Sequence, residues 1–175
     1  VLSDEKLVLN IIKEEILVIK EKYADKIRIL RGIEISTNEK WNRSRLPEGE
    51  DVSFFDYCLI EHLGNDGSML NGDIVSFAKR CGCPTGVAHT DIFSFCAKEG
   101  LEPLDYFKRM ADAGVFWEMN VNYDSIHGFN EHEYTLNFLG SRETQKIVRD
   151  SGIKLTVGFD GHRVYDYAPE RVRTM

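Results

Sequence analysis

The feature that most constrains this chain is a recurring unit, a short apolar run followed by a segment of helical periodicity. Lys26–Ser36, Phe54–Leu63, Gly86–Asp91, Val115–Asn122 and Ile153–His162 read as strands. Between them, Met69–Cys81, Leu101–Ala113 and Tyr134–Asp150 read as helices. Pro103 falls in a first turn, where its missing N–H is harmless. Ser141 opens a further segment inside the third helix, and Gly152 closes it. Ahead of the first unit, Ser3 or Asp4 caps an opening helix. Its apolar stripe is Leu7, Ile11, Ile12, Ile16, Ile19 and Tyr23. Strands that alternate with helices predict a parallel α/β sheet or barrel. No low-complexity stretch or linker divides the chain, so one domain over residues 1–175 is expected.

The last run organises the reading. Ile153, Leu155 and Val157 alternate and then merge into a nearly continuous apolar segment, the pattern of a strand buried on both faces. Asp160-Gly161-His162 follows at its carboxyl end, where α/β folds place their chemistry. The other units end alike, with Glu34 on the first run, His62 on the second and His89 on the third. Each residue has an ordinary explanation: a solvated charge at a strand end, a satisfied core histidine, an Asp cap beside a surface histidine. Recurrence at equivalent positions tips the balance. Carboxylates and imidazoles on one rim can hold zinc, manganese or iron.

Charge and composition remove several classes. No apolar run approaches the ~20 residues needed to cross a bilayer, and no signal-peptide pattern is present. A formal charge of −7 opposes non-specific binding to nucleic acid, which needs clustered Lys and Arg. It does not oppose a small anionic substrate, because bound cations would dominate the local field. Cys58, Cys81, Cys83 and Cys96 do not form a disulfide scaffold, and Cys81-Gly82-Cys83 is too tight for the usual zinc spacing. Reduced thiols in a cytoplasmic protein are expected.

Gly32-Ile33-Glu34, Ile60-Glu61-His62, Val87-Ala88-His89-Thr90, Trp117 to Asn120 and Phe159 to His162 resemble successive motifs of the PHP (polymerase and histidinol phosphatase) superfamily. The resemblance runs in the right order from Ile27 to about Val172. The last family motif is typically serine-aspartate-alanine-histidine, so Phe159 and Gly161 depart from it while Asp160 and His162 match. The resemblance implies a distorted (β/α)7 barrel with two or three divalent metal ions at its strand ends, and hydrolysis of a small phosphorylated substrate. It implies metal ligation by Glu34, His62, His89, Asp160 and His162, with Asp160 and His162 catalytic: Asp160 orienting the attacking water, His162 holding its metal. Glu118 and Asn120 match a family strand end that lines the site, and Asn120 is assigned with Arg163 to the substrate. Arg163 otherwise reads as a solvated surface charge.

Family members carry a histidine-x-histidine motif on the first strand, and it is missing here. The expectation is an N-terminally truncated domain lacking that strand. His127 and His132 lie in a loop and are expected on the surface. Asp91 either orients His89 or caps the next helix. Tyr165 and Tyr167 either pack on substrate or cover the barrel mouth. Three other readings compete: a metal-dependent amidohydrolase, whose first-strand histidines and bridging lysine are also absent; a proofreading-type nuclease, which the acidic surface opposes; and a non-catalytic domain that binds a metal or a partner.

Overall fold

The computed structural model describes residues 2–38, 52–64, 68, 70, 73–121, 128 and 130–174, the side chains of residues 2–9 and 174 excepted. The loop expected from Thr37 to Asp51 therefore lies outside the described residues beyond Asn38, as does His127. Among the described residues five strands are present: β1 (Gly32–Ser36), β2 (Tyr57–Glu61), β3 (Thr85–Val87), β4 (Phe116–Asn120) and β5 (Lys154–Gly158). They form one sheet in the order β1-β2-β3-β4-β5, and every pairing is parallel. The helices are α1 (Leu2–Lys22), α2 (Ile74–Cys81), α3 (Ile92–Glu99), α4 (Pro103–Asp112), α5 (Glu133–Gly140), α6 (Arg142–Ser151) and α7 (Pro169–Thr174). The α/β class and the parallel sheet follow the expectation from sequence.

A parallel sheet built in sequential order, with right-handed crossovers, gathers its connecting helices on one face. The core lies on that face. Ile35, Cys58, Ile60, Val87 and Trp117 meet Ile74, Phe77, Ile92, Phe107 and Met110, all of them buried. Trp117 is the hub: its ring lies 5.1 Å from Phe107, 5.7 Å from Phe138 and 6.0 Å from Phe93 and Tyr134, and its indole N–H donates to the Thr90 carbonyl at 2.9 Å. The opposite face is built by large side chains lying over glycines of the neighbouring strand. Tyr57 covers Gly32, Phe116 covers Gly86 and Glu118 covers Gly158, so closely that a Cβ at any of these glycines would overlap the covering group. This face floors a cleft of about 800 Å³ that reaches Glu34, His89 and Asp160 at the carboxyl rim.

Local signals set the helix ends. Asp73, Asp91 and Ser141 accept hydrogen bonds from Ser76, Ser94 and Thr144 backbone N–H at 3.2, 2.9 and 3.2 Å, which satisfies donors the first turn leaves open. Asp91 thus caps α3. Gly82, Gly100 and Gly152 close α2, α3 and α6 in the left-handed region.

As expected, Ser141 opens a further segment after α5 and caps α6, and Gly152 closes it. Three expectations change. The helix expected from Met69 starts at Ile74, because Asp73 is its cap. The strand expected over Ile153–His162 is not buried on both faces: among the described residues β5 stands at the sheet edge, with Leu155 42% and Val157 50% exposed. Its apolar pattern matched a central strand, but edge position depends on which strands lie alongside. In α1, Ile16, Lys20 and Tyr23 are half-buried while Ile11, Ile12 and Ile19 face solvent. The stripe has helical spacing, yet the helix meets the domain partly through charge: Lys20 Nζ lies 2.9 Å from Asp56, and Lys13 Nζ sits 5.1 Å over the Phe54 ring.

Candidate metal centre

Glu34 in the middle of β1, Glu61 at the carboxyl end of β2 and His89 two residues beyond β3 come together. His89 Nε2 lies 3.6 Å from Glu34 Oε1 and 3.6 Å from Glu61 Oε2. All three donor atoms lie within 4.8 Å of one another. Donors 2.0–2.1 Å from a shared tetrahedral ion would stand about 3.4 Å apart, so the spacing is close to a coordination edge. Mixed carboxylate and imidazole donors suit borderline divalent cations. On that geometry the three residues could hold a divalent cation.

Strand register explains the meeting. Glu34 pairs with Leu59, so Glu61 stands two residues further along β2 and on the same face. Beyond β2 and β3 the chain turns sharply. His62 and His89 have positive φ of 66° and 21°, and Asp160 after β5 has 45°. Non-glycine residues occupy this region at a cost, and such strain gathers at functional sites. His62 turns so that its Nδ1 lies 2.9 Å from Ser36 Oγ and 3.4 Å from Glu61 Oε1. Its ring stands edge-on to His89, with centroids 6.5 Å apart.

Beneath the cluster, Glu118 is 8% exposed, and its Oε2 accepts the His89 backbone N–H at 3.3 Å. Burial pushes the Glu118 carboxyl up, against the pull of the His89 N–H. Burial by itself lowers His89, but the hydrogen bond to Glu34 and the charges of Asp160, Glu34 and Glu118 outweigh it, and the imidazole ends above its ordinary value. The rise at His89 reflects concentrated negative charge, the field a bound cation would neutralise, whereas that at Glu118 comes first from burial.

The residues singled out from sequence are distributed as follows. Glu34, His62 and His89 come together on one rim. Asp160 lines the same cleft and acts electrostatically on His89. His162 and Arg163 are exposed on the turn after β5, where their backbone N–H groups donate to Asp166 at 2.9 and 2.7 Å. Arg163 also bonds and stacks on Tyr165. Asn120 is fully buried: its backbone N–H donates to the Tyr134 hydroxyl at 2.8 Å, and its carbonyl accepts from Thr135 at 2.9 Å. It has no accessible surface with which to meet a substrate, and its side chain supports Glu118. Tyr167 lines the cleft beside Phe159, the rings 5.9 Å apart.

Two residues of the site went unassigned in the sequence. Glu61 was masked by the histidine beside it, although strand parity counted from Leu59 marks it. His132, expected on the surface, is half-buried and stacks on His89 with centroids 5.9 Å apart and planes 16° from parallel. No spacing rule joins a loop histidine to a strand end 43 residues earlier, and only the fold pairs them. No family model, curated protein or solved structure matches the chain. Among the described residues, no helix is long and apolar enough to cross a membrane.

Proposed function

We propose that this chain is a metal-dependent phosphoesterase of the polymerase and histidinol phosphatase type, a distorted (β/α)7 barrel acting on a small phosphorylated substrate in the cytoplasm. The observation that carries the reading is the convergence of the Glu34, Glu61 and His89 donor atoms from three adjacent parallel strands and the turn after the third. Glu34, Glu61 and His89 would hold a divalent ion, and His62 and Asp160 would be the nearest further donors. Bound zinc, manganese or iron supplies Lewis-acid charge for the phosphoryl oxygens and activates water.

The residues of the chain divide the remaining work. Glu118 holds the His89 backbone through its N–H, and Ser36 holds the His62 ring. Asp160, which lines the cleft, accepts a proton from an attacking water. Tyr57, Phe116 and Tyr167 wall the cleft and limit bulk water around the substrate. Arg163 reaches an anionic substrate only by leaving Tyr165.

The test combines metal content with turnover. The protein is purified without chelator, its metals are measured, and hydrolysis of p-nitrophenyl phosphate and a panel of phosphate monoesters is followed with added manganese or zinc. Glu61→Ala is expected to lower metal retention at least 100-fold and to remove turnover. A wild-type protein that retains no metal and hydrolyses none of the esters would refute the reading. The exposed position of His162 favours one alternative, a metal-binding domain without catalysis; stoichiometric metal with no hydrolysis would support it.

A further inference from the structure

His132 takes no part in the reading above, yet its place is tightly determined. It precedes the first turn of α5, whose Thr135 backbone N–H donates to the His132 carbonyl at 3.0 Å. The two residues that follow closely bind that turn to the end of β4. The Tyr134 hydroxyl donates to the Glu118 carbonyl at 2.9 Å and accepts the Asn120 N–H at 2.8 Å. The Thr135 hydroxyl donates to the Asn120 carbonyl at 2.9 Å. The His132 ring is further bounded by Tyr134, 5.7 Å away. A loop side chain is thus carried over the metal cluster by an anchored helix start.

His89 shows what that ring does. Its backbone is held by Glu118 at the N–H, and the next residue is held by the Trp117 indole at the Thr90 carbonyl. Neither contact sets the rotation of the imidazole about its side-chain bonds. His62 meets the ring edge-on, and His132 covers its face. The near-parallel stack, within the range of favourable aromatic pairs, constrains the ring plane from one face, while Glu34 and Glu61 meet only its Nε2 edge.

We propose that His132 is a positioning residue whose stacked ring holds the imidazole of His89 in the plane that presents Nε2 to a cation shared with Glu34 and Glu61. This rests on the metal-centre reading above. The ring plane matters because a metal–imidazole bond lies along the nitrogen lone pair, and a freely turning ring spends affinity on being ordered.

The test is zinc affinity by chelator competition on wild type, His132→Ala and His132→Phe, with thermal melts of each in excess chelator. Phenylalanine keeps the aromatic face and removes both ring nitrogens. The expected result is a roughly 3- to 10-fold weaker zinc affinity for His132→Ala, and His132→Phe within about twofold of wild type. Cobalt-loaded His132→Ala should also show an altered visible spectrum that His132→Phe restores. If His132→Ala folds poorly, His132→Gln takes its place. Unchanged affinity in the non-aromatic variant overturns the proposal. So does an equal loss in His132→Phe, which would make the imidazole a direct donor. Wild-type protein that binds no zinc removes the metal centre and this role together, whereas the other two outcomes leave the metal centre standing.

Discussion

Gly158 is the position where one methyl group reports on the whole site. It pairs with Asn120 across β4 and β5, and the Glu118 side chain lies directly over it. A Cβ there would overlap the Glu118 carboxylate and come within 3.1 Å of Cγ. The backbone at Gly158 is outside the left-handed region, so alanine brings no strain of its own. The overlapping atoms are the end of a flexible side chain, so Glu118 moves and the sheet stays. The penalty is then what Glu118 leaves behind: a part-buried His89 N–H without its acceptor and a displaced carboxyl. Losing such a partner destabilises by about 1–3 kcal/mol, similar to mild overpacking. Gly158→Ala is therefore expected to destabilise by about 2 kcal/mol, a melting shift of roughly 4–8 °C in a domain of this size. The effect should depend on Glu118. In a Glu118→Ala background, adding Gly158→Ala is expected to change stability by less than about 0.5 kcal/mol, which leaves a coupling near 1.5 kcal/mol. Melts of wild type, both single variants and the double variant in chelator complete the cycle. Additive effects within about 0.5 kcal/mol would refute the claim that Glu118 is held by the missing side chain of Gly158.

Two further outcomes are expected. At His62, with φ of 66°, glycine adopts the backbone freely and alanine does not. Both variants lose the contacts to Ser36 and Glu61, so His62→Gly should be more stable than His62→Ala by about 1 kcal/mol in denaturant titrations; equal stabilities would show the turn is unstrained. Asp56 accepts the Arg31 backbone N–H at 2.7 Å and pairs with the Arg31 guanidinium and Lys20, contacts that hold its carboxyl well below the usual carboxylate range. A lowered folded-state value stabilises the protein above the unfolded value near 3.9, and that contribution fades as pH falls below it. Asp56→Asn should thus destabilise by about 1 kcal/mol at pH 7, given partial exposure, with a smaller difference at about pH 2.5; a pH-independent difference would assign the effect to packing.

The alternation of strand and helix was legible because period-two and helical patterns are local properties of the chain. The same locality marked His62, His89 and Asp160 as residues that end or follow apolar runs, and Glu34 as a charge within one, in the middle of β1. Residue order along the chain thus determined the parallel α/β class and most of the rim. Contacts between strands did not follow from it. Whether β5 is central or at an edge depends on its neighbours. Glu61 joins Glu34 through register, Glu118 occupies the space over Gly158 because β4 and β5 are aligned as they are, and His132 reaches His89 because Tyr134 and Thr135 hold α5 against β4. These are through-space relations between residues distant in sequence, and they exist only once the sheet has set its register.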